Sequence, residues 1–422
     1  MNNGYTVSEN GVVIRHFCTP ALHGFCLCLY IKAGALYESD SENGISHFWE
    51  HMLFRSVNNA LGGELYRKID SLGATFDAVT YRELIQLRIS GAKEKFRECA
   101  ELLTTVFTPF SASAAETDIE RRRIKSEIRE SDEPTSLDFF TRKAVWHGTS
   151  LEKPIIGSRG ILDKIGPTAL AKAQERTLTP ENIFFCLTGA FTESDVEYLA
   201  RLVGKYALLH APERGNLAPL PSDFGKRGSQ VLIKNSDCSI VRFNFDADCS
   251  GMTQAEQYLL YDVLFSGECS MLFKSLSDET GLVYSYDACF EKYNNAGNLY
   301  FYYELANGKI YEAVERTMAV LNALRNSAPK DFECTKAAYI INSGLLLDDP
   351  EELNWQIGYE YYVMGREFVS IEDRRESFRS VSAERISEIA REIFTPDNFV
   401  LTMKAPKKKT DAEKVRNLLK FV

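Results

Sequence analysis

The segments Thr179-Pro180-Glu181-Asn182 and Thr395-Pro396-Asp397-Asn398, the second running on into Phe399-Val400-Leu401-Thr402, are near copies separated by 395 − 179 = 216 residues. A strand-forming run follows each. At the same offset Glu133-Pro134 matches Asp349-Pro350, each placed after a long helical pattern, so two independent landmarks agree on one register. The chain therefore reads as a duplicated domain. Between the copies, Ala211-Pro212-Glu213-Arg214-Gly215-Asn216-Leu217-Ala218-Pro219-Leu220-Pro221 concentrates Pro, Gly and polar residues, as an extended linker does. The expected organisation is one domain over residues 1–210, a linker over 211–224 and a related domain over 225–422.

Within the first copy, Gly11–Arg15 and Gly24–Ile31 read as strands separated by a loop bearing Pro20. Helical spacing starts near Ile45 and returns over Leu61–Leu72, the stretch Phe76–Ile89 alternates like strands, and Ala92–Phe107 and Glu116–Ser131 are helical again. Strands and helices in blocks predict an α+β fold, each of the two domains being a mostly antiparallel sheet packed with helices. The run Tyr300-Phe301-Tyr302-Tyr303 suits a sheet core.

The 422 residues, 45% of them hydrophobic, suffice for two buried cores. The balance of 49 basic against 59 acidic residues, a net charge of −10, speaks against gripping nucleic acid or anionic membrane surfaces. No apolar run approaches the roughly 18 residues of a membrane span, and MNNGYTVSENGVVIRHF has neither a secretory nor an organellar leader pattern, so a cytoplasmic protein is expected. The ten cysteines show no paired knuckle and read as reduced thiols, mostly buried.

Residues four apart on a helix share a face, so His47 and His51 in His47-Phe48-Trp49-Glu50-His51 can present two imidazoles to one metal ion with Glu50 beside them. This is the H-E-x-x-H arrangement of zinc proteases with its order reversed. In that chemistry two histidines hold Zn²⁺ and the carboxylate handles the proton of the attacking water. A catalytic zinc takes three protein ligands and leaves one position open. The helix expected over Glu116–Ser131 offers Glu120 and Glu127, seven apart and hence on one face, so that one ligates while the other supports. A structural zinc would want a fourth ligand, often cysteine, and none lies near the motif in sequence. The remaining histidines, His16, His23, His147 and His210, have no ligand spacing.

HFWEHMLF at residues 47–54, followed 127 − 51 = 76 residues after its second histidine by Glu127 in ERRRIKSEIRES, resembles the insulinase, pitrilysin and mitochondrial processing peptidase family, in a half-length bacterial-type form. The segments AGALYESDSENGISHFWEHMLF and GATFDAVTYRE, the turn Pro154-Ile155-Ile156-Gly157 and the paired TPEN and TPDN turns extend the resemblance over the whole chain. It implies a zinc-dependent endopeptidase. His47, His51 and Glu127 would be the zinc ligands, Glu50 the general base and then proton donor to the leaving amine, and Glu120 the supporting carboxylate. The stretch Phe76–Tyr81 sits where family members present an edge strand to an extended peptide, with Ala78 and Thr80 as substrate-binding positions. Peptides and unstructured segments, precursor peptides among them, are the implied substrates. The alternative is a non-catalytic assembly or presenting subunit of the same fold.

One family feature is missing. Over Ser270–Ser285 the family carries an arginine seven residues before a tyrosine, the pair that holds the substrate backbone and the oxyanion; here Tyr284 is present but the arginine position is Ser277. Serine has neither the charge nor the reach of a guanidinium. The resemblance implies a four-domain clamshell, so a related second subunit supplying the Arg and Tyr pair, in a heterodimer, is expected; a homodimer is the other arrangement. At the 216-residue offset Glu127 falls on Ser343 and Glu120 on Lys336, and the second copy has no H-x-x-E-H, so no metal site is expected there.

Overall fold

Strand β3, Gly24–Ile31, is buried along nearly its whole length, which a strand achieves only when both faces are covered. In the computed structural model, which describes residues 3–131, 136–215, 217–368 and 370–422, its alternate side chains go to opposite sides. Phe25, Leu27, Leu29 and Ile31 join a core with Phe48, Trp49 and Met52, whereas Tyr30 faces the helix Pro350–Tyr362, its hydroxyl 3.0 Å from the Asn354 carbonyl. Gly358 makes that approach possible, because a Cβ there would lie 2.2 Å from Tyr30 Cζ. The Glu133-Pro134 landmark lies outside the described residues.

The first sheet joins β1 (Asn3–Val7), β2 (Val13–Cys18), β3, β4 (Thr75–Thr80), β5 (Ile85–Ala92) and β6 (Ile183–Gly189) in the order β1-β2-β6-β3-β5-β4. The second joins β7 (Gln230–Asn235), β8 (Ser239–Ala247), β9 (Tyr286–Lys292), β10 (Gly297–Leu305) and β11 (Val400–Ala405) in the order β7-β11-β8-β10-β9. Without β1, the two orders are the same. The parallel pair sits at the same place in each, β2 with β6 and β7 with β11, and the other pairings are antiparallel. The fold is α+β, two related domains from an internal duplication.

The repeated turns have one structural job. Asn182 Nδ2 donates to the carbonyls of Thr177 and Lys32, at 2.8 and 3.0 Å, and Asn398 Nδ2 to those of Ile393 and Asp246, at 2.9 and 2.6 Å. In both copies the amide joins the end of a helix, five residues back, to a neighbouring strand. It adds a second donor to the helix-end carbonyls, which Thr179 N–H and Thr395 N–H also reach at 3.1 Å, and ties them to the strand.

The chain divides into two compact units that are not continuous in sequence. One comprises Met1–Glu133, Lys153–Asn216 and Gly344–Val369, and the other Pro134–Glu152, Leu217–Ser343 and Ser370–Val422. The helix Pro350–Tyr362 thus packs on β3 and β6 of the first unit, while its copy Leu137–Val145 packs on β11 of the second. There Thr141 and Thr402 share a 2.6 Å hydroxyl hydrogen bond and Asp138 accepts one from Arg242 at 2.9 Å. Phe301 of the aromatic run stacks on Phe243 in the second core. Five cysteines are buried and two, Cys269 and Cys334, are exposed. No helix among the described residues is long and apolar enough to cross a membrane.

Candidate metal centre

Helix α1, Ile45–Ala60, carries the motif, and its N-terminus is fixed from outside the helix. The buried Glu38 carboxylate accepts from the backbone N–H of Gly44 at 2.8 Å and of Ser46 at 2.9 Å, and from Asn43 Nδ2 at 3.0 Å. A negative charge there pairs with the free N–H groups of the first turn. Gly44, at φ 92°, passes so close to Gly157 that a Cβ would meet its Cα at 2.6 Å. The apolar residues Phe48, Trp49, Met52, Leu53 and Val57 are buried, turning His47 and His51 towards the neighbouring helix Ala114–Glu130. That helix starts at a Ser113–Glu116 capping box and buries Ile124 and Ile128. Its Glu120 and Glu127 then face α1.

His47 Nε2 lies 3.7 Å from Glu127 Oε1, and His51 Nε2 lies 3.6 Å from Glu127 Oε2. One ligand atom from each of the three residues falls within 4.8 Å of the others, and among the described residues no other His, Cys, Asp and Glu trio does so. A tetrahedral ion with arms of about 2.1 Å separates its ligand atoms by about 3.4 Å, so the spacing suits zinc. Burial, helped by the nearby His51, lowers the His47 pKa to about 3, which keeps the ring neutral as a ligand must be. The donor set, two imidazoles and one half-exposed carboxylate, fits a catalytic zinc with a side open to solvent.

Glu50 is buried on the same helix. Burial raises its pKa to about 7; a hydrogen bond from Thr80 Oγ1 at 3.1 Å opposes the rise, and the Glu127 charge adds to it. Glu120 does not join the trio. Its Oε2 lies 3.4 Å from His51 Nδ1, on the ring edge away from Glu127, and its Oε1 accepts from Arg55 Nε at 2.8 Å and Nη2 at 2.6 Å.

Strand β4 is an edge of its sheet and packs against α1. Ala78 pairs with Leu87 on the inner side and leaves the other backbone edge open, while Thr80 turns its hydroxyl to Glu50. Tyr284 belongs to the second unit, where its side chain is fully exposed ahead of β9, and Ser277 lies in the π-helical turn Lys274–Asp278. Lys336 and Ser343, the copies of Glu120 and Glu127, lie on and at the end of the helix Phe332–Asn342.

Residues 23–159 match the family model described as Insulinase (Peptidase family M16), and residues 164–339 the one described as Peptidase M16 inactive domain. The chain belongs to peptidase family M16. This M16 chain is 22% identical over 404 residues to the uncharacterized zinc protease YmxG of Bacillus subtilis, covering 94% of this chain and 97% of that protein. Its fold resembles that of a protease from Helicobacter pylori, with a TM-score of 0.85, 16% identity and coverage of 96% of this chain and 99% of the other. It also resembles the periplasmic protease PqqL from Escherichia coli, with a TM-score of 0.80 and 16% identity, covering 99% of this chain and 49% of PqqL.

Arg55 and Glu38 were not singled out by the motif. Arg55 continues the spacing of His47 and His51 by four residues, and that periodicity is the signal that finds it. Glu38 acts through space on a helix it does not belong to, which no local pattern reports.

Proposed function

We propose that this M16 chain is a zinc-dependent endopeptidase that hydrolyses peptides and unstructured segments, precursor peptides among them, in the cytoplasm and within a two-subunit clamshell. The observation that carries the reading is the convergence of His47, His51 and Glu127 beside a buried Glu50 whose pKa is raised to about 7. A carboxylate with that pKa is suited both to accept a proton from water and to return it to the leaving amine.

His47, His51 and Glu127 would hold the zinc, which when bound supplies a Lewis acid for the scissile carbonyl and a lowered water pKa. Glu50 takes the water proton on Oε1, because Oε2 accepts from Thr80. It then delivers that proton to the amine nitrogen as the peptide bond breaks. The open edge of β4 supports binding of an extended chain by main-chain hydrogen bonds, with Ala78 leaving room for the approach. The duplication supports residues 1–210 and 225–422, joined by 211–224, as the halves that diverged, the metal ligands lying in the first.

Ser277 in place of the family's arginine supports a related partner that supplies an Arg and Tyr pair, in a heterodimer, with a homodimer as the other arrangement. The same substitution is the specific observation favouring the second reading, a non-catalytic assembly or presenting subunit. Zinc content and cleavage of a quenched unstructured peptide, measured for wild type and Glu50→Gln, separate the two. About one zinc in both proteins with cleavage by wild type alone supports the endopeptidase. Zinc in both without cleavage points to the need for a partner, tested by adding a related subunit; absence of zinc from both favours the non-catalytic reading.

A further inference from the structure

We propose that Arg55 is a positioning residue that sets the zinc affinity of the site by fixing His51 through Glu120, an inference that rests on His47, His51 and Glu127 forming a zinc site. Arg55 stands one helical turn beyond His51 on α1, and both Nε and Nη2 of its fork reach the same oxygen, Glu120 Oε1. The Glu120 side chain is 3% exposed, and a carboxylate so buried requires a cationic partner. Arg55 is the cation within hydrogen-bond distance; Arg123 Nη1 stays 3.8 Å from Oε2 on a largely exposed side chain. The other nearby acid, Glu116, accepts from Asn59 and from Ser113.

With Oε1 occupied, Oε2 is left to His51 Nδ1 at 3.4 Å. A proton on Nδ1 held there leaves the Nε2 lone pair facing Glu127, as a metal ligand requires. His47 is held differently: its Nδ1 is buried without a hydrogen-bond partner. The two imidazoles are therefore unequal, and only the His51 orientation is built through a carboxylate and a guanidinium. Arg55 adds a link to that chain that neither the motif nor the ligand trio contains.

The test is the zinc dissociation constant of the full chain, read by competition with a chromophoric chelator, for wild type, Arg55→Met, Arg55→Lys, Glu120→Gln and Arg55→Met in the Glu120→Gln background. Arg55→Met should weaken zinc binding by about tenfold, Arg55→Lys by less, and the cobalt-substituted Arg55→Met protein should show an altered visible spectrum. In the Glu120→Gln background Arg55→Met should have no further effect, since the arginine acts through that carboxylate. An unchanged dissociation constant in Arg55→Met, or losses that simply add in the double variant, overturns the proposal. If Arg55→Met fails to fold, Arg55→Lys alone and in the Glu120→Gln background carries the same comparison. Wild type that binds no zinc overturns the metal site itself and the inference with it, whereas zinc-binding wild type with indifferent Arg55 variants overturns the inference alone.

Discussion

Thr80 Oγ1 donates to Glu50 Oε2 across 3.1 Å, joining the last residue of edge strand β4 to the carboxylate of the H-x-x-E-H helix. The hydroxyl is buried, so it serves the carboxylate rather than solvent. Thr80→Val keeps the shape and removes the donor; kcat should fall about tenfold, as loss of a hydrogen bond to a charged group predicts, with KM and zinc content unchanged. Thr80→Ser should recover most of the rate. Equal loss in both variants would assign the effect to packing.

Asp262, on the helix Gln254–Phe265 of the second unit, is pushed by burial to a pKa of about 6, against the opposing effect of a hydrogen bond to Ser266. Its folded pKa is raised above the unfolded value, so the folded state binds more protons than the unfolded state between about pH 4 and 6. Stability from this group is therefore greatest below about pH 4 and declines as pH rises through 6. Asp262→Asn removes the charge, and urea unfolding should find it more stable than wild type by about 1–3 kcal/mol at pH 8. The difference should vanish at pH 4. A constant difference across that range would exclude the ionisation as its cause.

Asn398→Ala should lower unfolding free energy by about 2 kcal/mol, for two buried hydrogen bonds to the Asp246 and Ile393 carbonyls lost, the Ile393 carbonyl keeping only its bond from Thr395 N–H. Asn398→Asp should cost more, because a carboxylate oxygen would then face those carbonyls. Zinc affinity should not change in either. An Asp variant as stable as wild type would show that the amide donor is not what holds the turn.

The duplication was legible because Asn182 and Asn398 do the same backbone work, and a residue fixed by a hydrogen-bond pattern leaves a readable trace at a fixed offset. The metal trio was legible for a similar reason: His47 and His51 obey helical spacing, and family resemblance placed Glu127 against them. Glu120 and Glu127 share a helix face, and spacing alone left open which one ligates; in the fold Glu127 reaches both ring Nε2 atoms while Glu120 reaches only His51 Nδ1. The resemblance put Thr80 among the substrate-binding positions; its hydrogen bond to Glu50 was not legible, because it depends on how β4 packs against α1. The strand β1 was not anticipated. Its residues alternate between exposed and half-buried, too polar a pattern to announce a sheet edge.

The crossed placement of Leu137–Val145 and Pro350–Tyr362 has a consequence for inheritance. Once the duplicated halves had traded these helices, neither half was a complete protein. A fragment ending at residue 210 would keep every proposed zinc ligand yet bare Tyr30, Phe184 and the backbone carbonyls that Asn354 covers. Such a fragment should be insoluble by itself and recover zinc binding when produced together with residues 225–422. If it does, splitting the gene between the halves would be tolerated where losing either half would not, and the second half would owe its retention to the helix it lends to the first.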